Sequence, residues 1–366
     1  MKRIHPHILD DGEQQWPVIE GIPYLRVGRD ELRTETLSAI SNGHLMEALA
    51  LLLTDRKDET IPRLDFKNAL RAARTADSVC ETMEKLEYGG LAPYMYHRWC
   101  LPTYLSGLAL LEAHSKPGMS LFEAGCGMGH FLRVWMERSG PAVGCDLVFS
   151  NLWLARRFVA PKADMICCDL NFTFPVQSDA AEICFAQDAF HYFRKKLHAF
   201  KEMKRISSRG IVLLGHVHNA TQPNLSPGYP LKLHEYVECI RPAVTYRDKD
   251  LTAAALTGVA AQPVESAAEL SAARAFSFAT DKPIESMQPW LTTPRPGLPL
   301  QLNPLLVSGA PHWPNANFKS EFVDEWSYLL EMTYPSNDVI AAAQAGQTCE
   351  VQARRQVVLD LPPSWI

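Results

Sequence analysis

The chain lacks the features that would place it in several large functional classes. Its 366 residues carry a formal net charge of −5, and no block of lysine or arginine stands out. Gripping a nucleic-acid backbone needs a basic face, so no nucleic acid is expected as partner. No apolar run approaches the roughly 20 residues that a membrane-spanning helix requires. The opening Met1-Lys2-Arg3-Ile4-His5-Pro6 has no apolar signal-type segment. No membrane partner is expected, and a cytoplasmic location is the default. The nine cysteines include no C-x-x-C pair, which weighs against a disulfide framework or a zinc site. Cys145, Cys167, Cys168 and Cys184 sit in apolar runs, where a thiol packs as a small hydrophobe. No internal repeat is present, and no group of histidines and carboxylates has metal-ligand spacing, so no metal is expected. Nothing in the sequence speaks to oligomeric state.

What is present is enough apolar material for a core, at 47% hydrophobic residues, and a length that suggests about two domains. The organising stretch is Met119-Ser120-Leu121-Phe122-Glu123-Ala124-Gly125-Cys126-Gly127-Met128-Gly129-His130-Phe131-Leu132. An apolar run ends in an acid, three glycines alternate with other residues, and a helix begins. This is the strand, tight turn and helix N-terminus that open a nucleotide-type α/β domain. Glycine permits positive φ and lets a ligand lie against the backbone, while the helix start offers free N–H groups. A dinucleotide site would use G-x-G-x-x-G with its pyrophosphate at the helix start. Here the last glycine position is His130, and Glu123 would repel a pyrophosphate. A cationic, phosphate-free ligand suits that carboxylate better.

The following residues agree. Pro141–Asp146 reads as a second strand ending in an acid, and Asp146 lies 21 positions after Gly125, where a ribose-binding acid belongs (about 20 residues on). A helix over Val148–Val159, a third strand ending at Asp169, a fourth strand within 179–192, a basic helix over 195–205 and a fifth strand over Gly210–His216 follow in order. The E-x-G-x-G-x-G run and these steps resemble class I S-adenosylmethionine-dependent methyltransferases of the small-molecule type. The resemblance implies an α/β, Rossmann-like seven-stranded sheet with S-adenosyl-L-methionine as cofactor. It implies cofactor binding by Glu123, Gly125, Cys126, Gly127 and Gly129. Asp146 and the adjoining Leu147 take the ribose position, Asp169 and Leu170 the adenine position, and Gln187 the methionine side. Tyr96 and Arg98, on an aromatic-rich helix ahead of the glycines, are expected to reach the cofactor carboxylate.

The acceptor in such folds lies beyond the carboxyl ends of the fourth and fifth strands. His191 and Tyr192 follow one of these, and His216 and His218 follow the other. Proton removal from a hydroxyl or acidic carbon favours a base of near-neutral pKa, hence histidine. These four are the catalytic candidates, with Tyr229 and Glu235 as weaker ones on the adjoining loop.

Three regions are expected. Residues 1–117 form an N-terminal hairpin and helical cap, in which Trp16–Val27 reads as two short strands resembling the end of a zinc-ribbon-like domain without its metal cysteines. Residues 118–250 form the cofactor-binding domain. Residues 251–366 form a C-terminal substrate-covering extension, alanine-rich and helix-compatible over 252–276. It carries eight prolines from Pro283 to Pro314, and its tail strand at 354–363 either completes the sheet or pairs with the extension. A small-molecule acceptor methylated on N, O or C is expected, in specialised biosynthesis. The alternatives are a peptide or protein methyltransferase working with a partner, and a catalytically silent binding subunit. An NAD-dependent oxidoreductase is countered by Glu123 and His130.

Overall fold

A computed structural model describes residues 1–58, 60–224, 228–284, 289–307, 310–322, 335–347, 350–363 and 365. Four short strands come first: β1 (Lys2–His5), β2 (Ile8–Asp10), β3 (Gln15–Ile19) and β4 (Ile22–Pro23), joined antiparallel in sequence order. Six helices follow: α1 (Asp30–Ser41), α2 (Leu45–Leu53), α3 (Phe66–Arg74), α4 (Val79–Lys85), α5 (Leu91–His97) and α6 (Pro102–His114). Serine and aspartate set two of the starts, since Asp65 accepts from the Lys67 and Asn68 N–H groups and Ser78 from that of Glu81.

The centre alternates strand and helix: β5 (Leu121–Ala124), α7 (His130–Arg138), β6 (Ala142–Asp146), α8 (Phe149–Leu154), β7 (Asp164–Cys167), β8 (Ala181–Gln187), α9 (Lys196–Ile206) and β9 (Ser207–His218). Then come α10 (Leu233–Ile240), β10 (Val244–Arg247), α11 (Asp248–Thr257) and β11 (Ala275–Ala279). Together the strands form one seven-stranded sheet in the order β10-β11-β9-β8-β5-β6-β7. The five strands β9-β8-β5-β6-β7 are mutually parallel, and β11 runs antiparallel between β9 and β10. Strands covered on both faces read as continuous apolar runs, and β5 and β8 do so. The chain reverses its direction of winding between β5 and β8, which opens a crevice at their carboxyl ends. The candidate site lies there.

Each flank of the sheet has its own apolar layer. One holds Phe131, Trp135, Leu152 and Trp153 beneath α6, α7 and α8. The other holds Phe122, Phe174, Phe190, Phe200 and Tyr236 beneath α9 and α10. The N-terminal strands join this body rather than standing apart. Tyr24 bridges in parallel to Cys167, and the Leu25 N–H donates to the Cys167 carbonyl at 2.7 Å, so they lengthen the sheet beyond β7. Below that seam the buried Asp55 carboxylate accepts from Tyr24 Oη at 2.7 Å, Arg26 Nη1 at 2.7 Å and Arg29 Nε at 3.0 Å.

Three expectations about organisation change. The alanine-rich 252–276 is not one helix: α11 stops at Thr257 before left-handed Gly258, and Ala275–Ala279 inserts into the sheet as β11. Phe276 and Phe278 enter one apolar layer while Ser277 between them faces Asp248, a period-two pattern that the preceding alanines obscure. The sheet domain therefore runs past residue 250 to Ala279. Nor does it separate at 117/118, because α6 is buried from Pro102 through Leu111. The tail strand takes the second of its two expected positions, pairing within the extension.

The extension supplies β12 (Gln301–Leu302), β13 (Leu306–Val307), β14 (Ala310–Pro311), α12 (Ala316–Phe322), α13 (Asn337–Gln344), α14 (Glu350–Arg354) and β15 (Val358–Leu359), with β12 paired to β15 and β13 to β14. Its polar contacts run to the outer helices. Glu112 of α6 accepts from the N–H groups of Trp290, Leu291 and Thr292. Arg138 of α7 donates to the carbonyls of Trp290, Leu291 and Thr293. Arg133 donates to Asp360 at 2.7 Å. Trp365, 1% exposed, stacks on Tyr96 at 5.6 Å and meets Trp99 and His130 edge-on. Removing so enclosed a ring costs about 3–5 kcal/mol. Trp365→Ala should lower unfolding free energy by about that amount in urea; an unchanged midpoint would mean the tail does not dock.

Candidate functional site

The site begins with backbone. Between β5 and α7 the chain turns through Gly125 (φ 76°), Gly127 (φ 53°) and Gly129 (φ 74°), all left-handed. A side chain at Gly125 would put its Cβ 2.7 Å from that of Ala189, whereas one at Gly127 would meet only Met95 Cε, at 3.9 Å. Gly127 thus presents bare backbone with room before it. Asp146, at the end of β6, ties the turn down: Oδ2 accepts the Gly127 N–H at 2.9 Å, and Oδ1 accepts from Val148 N–H at 2.8 Å and Asn151 Nδ2 at 3.2 Å. Tyr88 walls this end, its hydroxyl 2.7 Å from Asn151 Oδ1.

Glu123 is the anomaly. It is 2% exposed, and its Oε2 has no hydrogen-bond partner. Burial pushes the carboxyl up to about 8; the Arg98 charge opposes that shift and Asp146 adds to it. The Leu132 N–H also acts on it, but a buried carboxyl with one oxygen left unsatisfied costs free energy. A bound cation would remove that cost. The exposed backbone at Gly127 and the unsatisfied Oε2 of Glu123 both fit the cationic adenosyl ligand implied by the resemblance.

Arg98 connects this cradle to the acceptor side. Buried itself, it lies 3.6 Å from Asp188 Oδ2, with the Tyr94 and Phe131 rings 5.0 and 5.8 Å away. Tyr94 donates its hydroxyl to the same Asp188 oxygen. On Asp188, burial acts upward, but His216, Arg98, His191 and His218 outweigh it and lower the pKa. The His191 and His218 rings stack at 3.6 Å and 11°, and their Nε2 atoms lie 4.0 and 3.7 Å from Asp188 Oδ1. Contrary to the expectation from spacing, Asp188, His191 and His218 form a group of metal-ligand dimensions. Only folding joins them, since His218 comes from the neighbouring strand. Beside them His216 Nδ1 pairs with Asp248 Oδ2 at 2.5 Å, and Ser277 donates to the other Asp248 oxygen at 2.7 Å. Asp188 (φ 55°) and His216 (φ 47°) both hold left-handed backbone, a strained conformation that concentrates at functional sites.

The structure gathers Glu123, Gly125, Gly127, Gly129 and Asp146 into one cradle and His191, His216 and His218 into one cluster. Other expected residues turn elsewhere. Cys126 packs its sulfur against Gly144, leaving its backbone to the turn. Leu147 is half-buried and follows Asp146 directly. Asp169 closes a local turn, accepting from Asn171 N and Nδ2 at 2.8 Å each, and Leu170 is buried in the layer against α9. Gln187 donates to the Thr103 carbonyl at 2.6 Å and to Ser106 Oγ at 3.2 Å, under α6. Tyr96 stacks outward on Trp365, because residues 94 and 98 share one side of the helix and 96 takes another. Tyr192 is 39% exposed beside His191. Tyr229 lies under Arg194 at 4.9 Å, and Glu235 caps α10 by accepting the Lys232 N–H at 2.7 Å; both serve the loop. The residues that sequence reasoning missed are Asp188, Asp248, Tyr94 and Tyr88. Asp188 carried one signal: it ends a strand three residues before His191.

A family described as "Methyltransferase domain" matches residues 122–214. Malonyl-[acyl-carrier protein] O-methyltransferase from Serratia marcescens is 32% identical over 100 residues, 27% of this chain and 38% of that protein. The enzyme of the same name from Pectobacterium atrosepticum is 32% identical over 127 residues, 34% and 49% of the two chains. The chain thus spans less than half the length of these curated relatives. A solved TehB-like SAM-dependent methyltransferase from Corynebacterium glutamicum superposes with a TM-score of 0.36 at 12% identity, covering 48% of this chain and 85% of that one. No helix among the described residues is long and apolar enough to cross a membrane.

Burial of Glu123 makes a testable statement about pH. Its folded pKa, about 8, lies above the ordinary 4.5, so between these values the folded state binds more protons than the unfolded one. Its contribution is therefore present at low pH and lost as pH rises towards 8. Glu123→Gln removes the ionisation. The variant's unfolding free energy relative to wild type should rise with pH across that window, by at most about 1.4 kcal/mol per unit. Parallel pH profiles from urea denaturation would show a solvated carboxyl.

Proposed function

Because residues 122–214 are a class I S-adenosylmethionine-dependent methyltransferase domain, we propose that this chain methylates a small-molecule acceptor at oxygen, nitrogen or an acidic carbon. The observation that carries the reading is a continuous line of charge. It runs from Glu123 at the cradle through Arg98 and Asp188 to the His216–Asp248 pair.

When bound, S-adenosylmethionine supplies an electrophilic methyl on a sulfonium whose charge disappears on transfer. Gly127 offers its backbone to the ligand, and Glu123 offers a carboxylate to its cationic part. Arg98 neutralises Asp188 and fixes the boundary between cofactor and acceptor. His216 is the proton acceptor. With its Nδ1 proton directed at Asp248, Nε2 presents the lone pair, and Asp248 stabilises the imidazolium that forms. Asp188, His191 and His218 orient the acceptor, and half-exposed Tyr192 stands at its entrance. Enclosure by α5 and α6 limits water around the reacting atoms, which leaves alignment as the main contribution to rate.

A second reading follows from the curated relatives. Their printed activity methylates malonyl-[acyl-carrier protein], so an acid carried on a protein partner is the rival acceptor. A carboxylate needs no base, which distinguishes the two.

Titration calorimetry should show micromolar binding of S-adenosylhomocysteine and none of NAD; the reverse would overturn the reading. Gly127→Ala should weaken S-adenosylhomocysteine by about tenfold or more, since its Cβ enters the ligand's space in a backbone region that disfavours side chains. His216→Ala and Asp248→Asn should lower turnover by about 10²–10⁴ with cofactor affinity unchanged. Full turnover in both would favour the carboxylate acceptor.

A further inference from the structure

One feature of the acceptor side goes beyond methyl transfer. His191 is fully buried, and neither of its ring nitrogens has a hydrogen-bond partner. Leaving a buried polar group unsatisfied costs about 1–3 kcal/mol, so such a group calls for a ligand. The donor atoms of Asp188, His191 and His218 all lie within 4.8 Å of one another. We propose that these three residues form a binding site for one first-row divalent transition-metal ion, with coordination positions left for an oxygen of the acceptor or for water.

Two imidazoles and one carboxylate suit zinc, cobalt, iron or manganese better than magnesium or calcium, which prefer all-oxygen shells. Ligands at about 2.0–2.1 Å around a tetrahedral ion stand roughly 3.4 Å apart. The observed Nε2-to-Oδ1 separations of 3.7 and 4.0 Å are within a few tenths of an ångström of that. The two rings are stacked at 3.6 Å and 11°, however, so binding requires one imidazole to turn out of the stack and bring its in-plane lone pair onto the ion. The carboxylate is already divided for the task. Oδ2 faces Arg98 and Tyr94, and Oδ1 faces the imidazoles. Such outer partners orient a metal-binding carboxylate. The left-handed backbone of Asp188 is fixed by its N–H donating to the Gly215 carbonyl at 2.9 Å.

Neighbouring cations set the limits of the site. Arg98 lies on the far side of the carboxylate. Lys196, near His191 in sequence, has its ammonium held by the carbonyls of His191, Phe193 and Tyr229. His216 is paired with Asp248. Among the described residues these three cations are held by other partners, away from the face between Oδ1 and the two rings.

The test uses the full chain, stripped with a chelator and titrated with cobalt(II) alone. Visible d–d absorption should saturate at one equivalent, and zinc should displace it. His191→Ala and His218→Ala should each weaken binding by at least about 100-fold, whereas His44→Ala, at an exposed position, should not. X-ray absorption at the cobalt edge of the wild-type protein should report two imidazoles, a readout that stands even where a variant misfolds. No saturable band, a band surviving in both histidine variants, or an edge without imidazole would overturn the proposal. These measurements need neither cofactor nor acceptor, so their failure is distinct from failure of the methyl-transfer reading.

Discussion

Everything at this site depends on an acid kept out of water. Glu123 lies next to the end of β5, inside the sheet, where paired strands flank it on both sides and the residue is 2% exposed. The chain does not neutralise it with a direct ion pair. Arg98 is near enough to oppose the burial effect but closest to Asp188. A single guanidinium thus serves two carboxylates and fully satisfies neither. That is a poor arrangement for stability, because a buried charge is best paired and hydrogen-bonded. It suits the pocket proposed above, which would receive a cation on one side and an acceptor on the other.

The left-handed residues make the same point in backbone terms. Three glycines carry the turn at little conformational cost, but Asp188 and His216 take that conformation with full side chains. Asp188 follows β8 and His216 lies two residues before the end of the adjacent parallel β9, and the Asp188 N–H reaches the Gly215 carbonyl, one residue before His216. The strain therefore lies where two neighbouring strand ends turn their polar side chains towards one point.

The sequence made the glycine-and-acid cradle legible and left much of the histidine cluster hidden. Glu123, the glycines and Asp146 are local: their spacing along one strand, turn and helix carries their meaning, and the structure keeps them together. The order of alternating strands and helices from β5 to β9 was equally readable. The partnership of Asp188 with His218, or of His216 with Asp248, depends on strand register and on the entry of β11 beside β9. No local pattern encodes either. Strand β11 was itself missed because five residues of alternation follow a long alanine-rich stretch. Arg98 and Tyr96 were both sought at the cofactor, but helical geometry sends Arg98 inward and Tyr96 outward, and only packing against Trp365 decides which is which.

Gln187 shows how a residue can hold a site without facing it. Its amide hangs from the Thr103 carbonyl and Ser106 on α6, and its other end lies against Gly215 and Gly107. A side chain at Gly215 would sit 1.8 Å from Gln187 Oε1, and one at Gly107 would sit 2.8 Å from Gln187 Cδ. Both glycines are therefore required by volume, not by backbone angle, since neither has positive φ. The wedge they admit sets how closely α6 rides over the ends of β8 and β9. Asp188 follows Gln187 directly and His216 follows Gly215, so the relative positions of the carboxylate and the imidazoles derive from this packing. The polar chemistry of the acceptor side is in that sense specified one layer below, by two missing side chains and an amide between them.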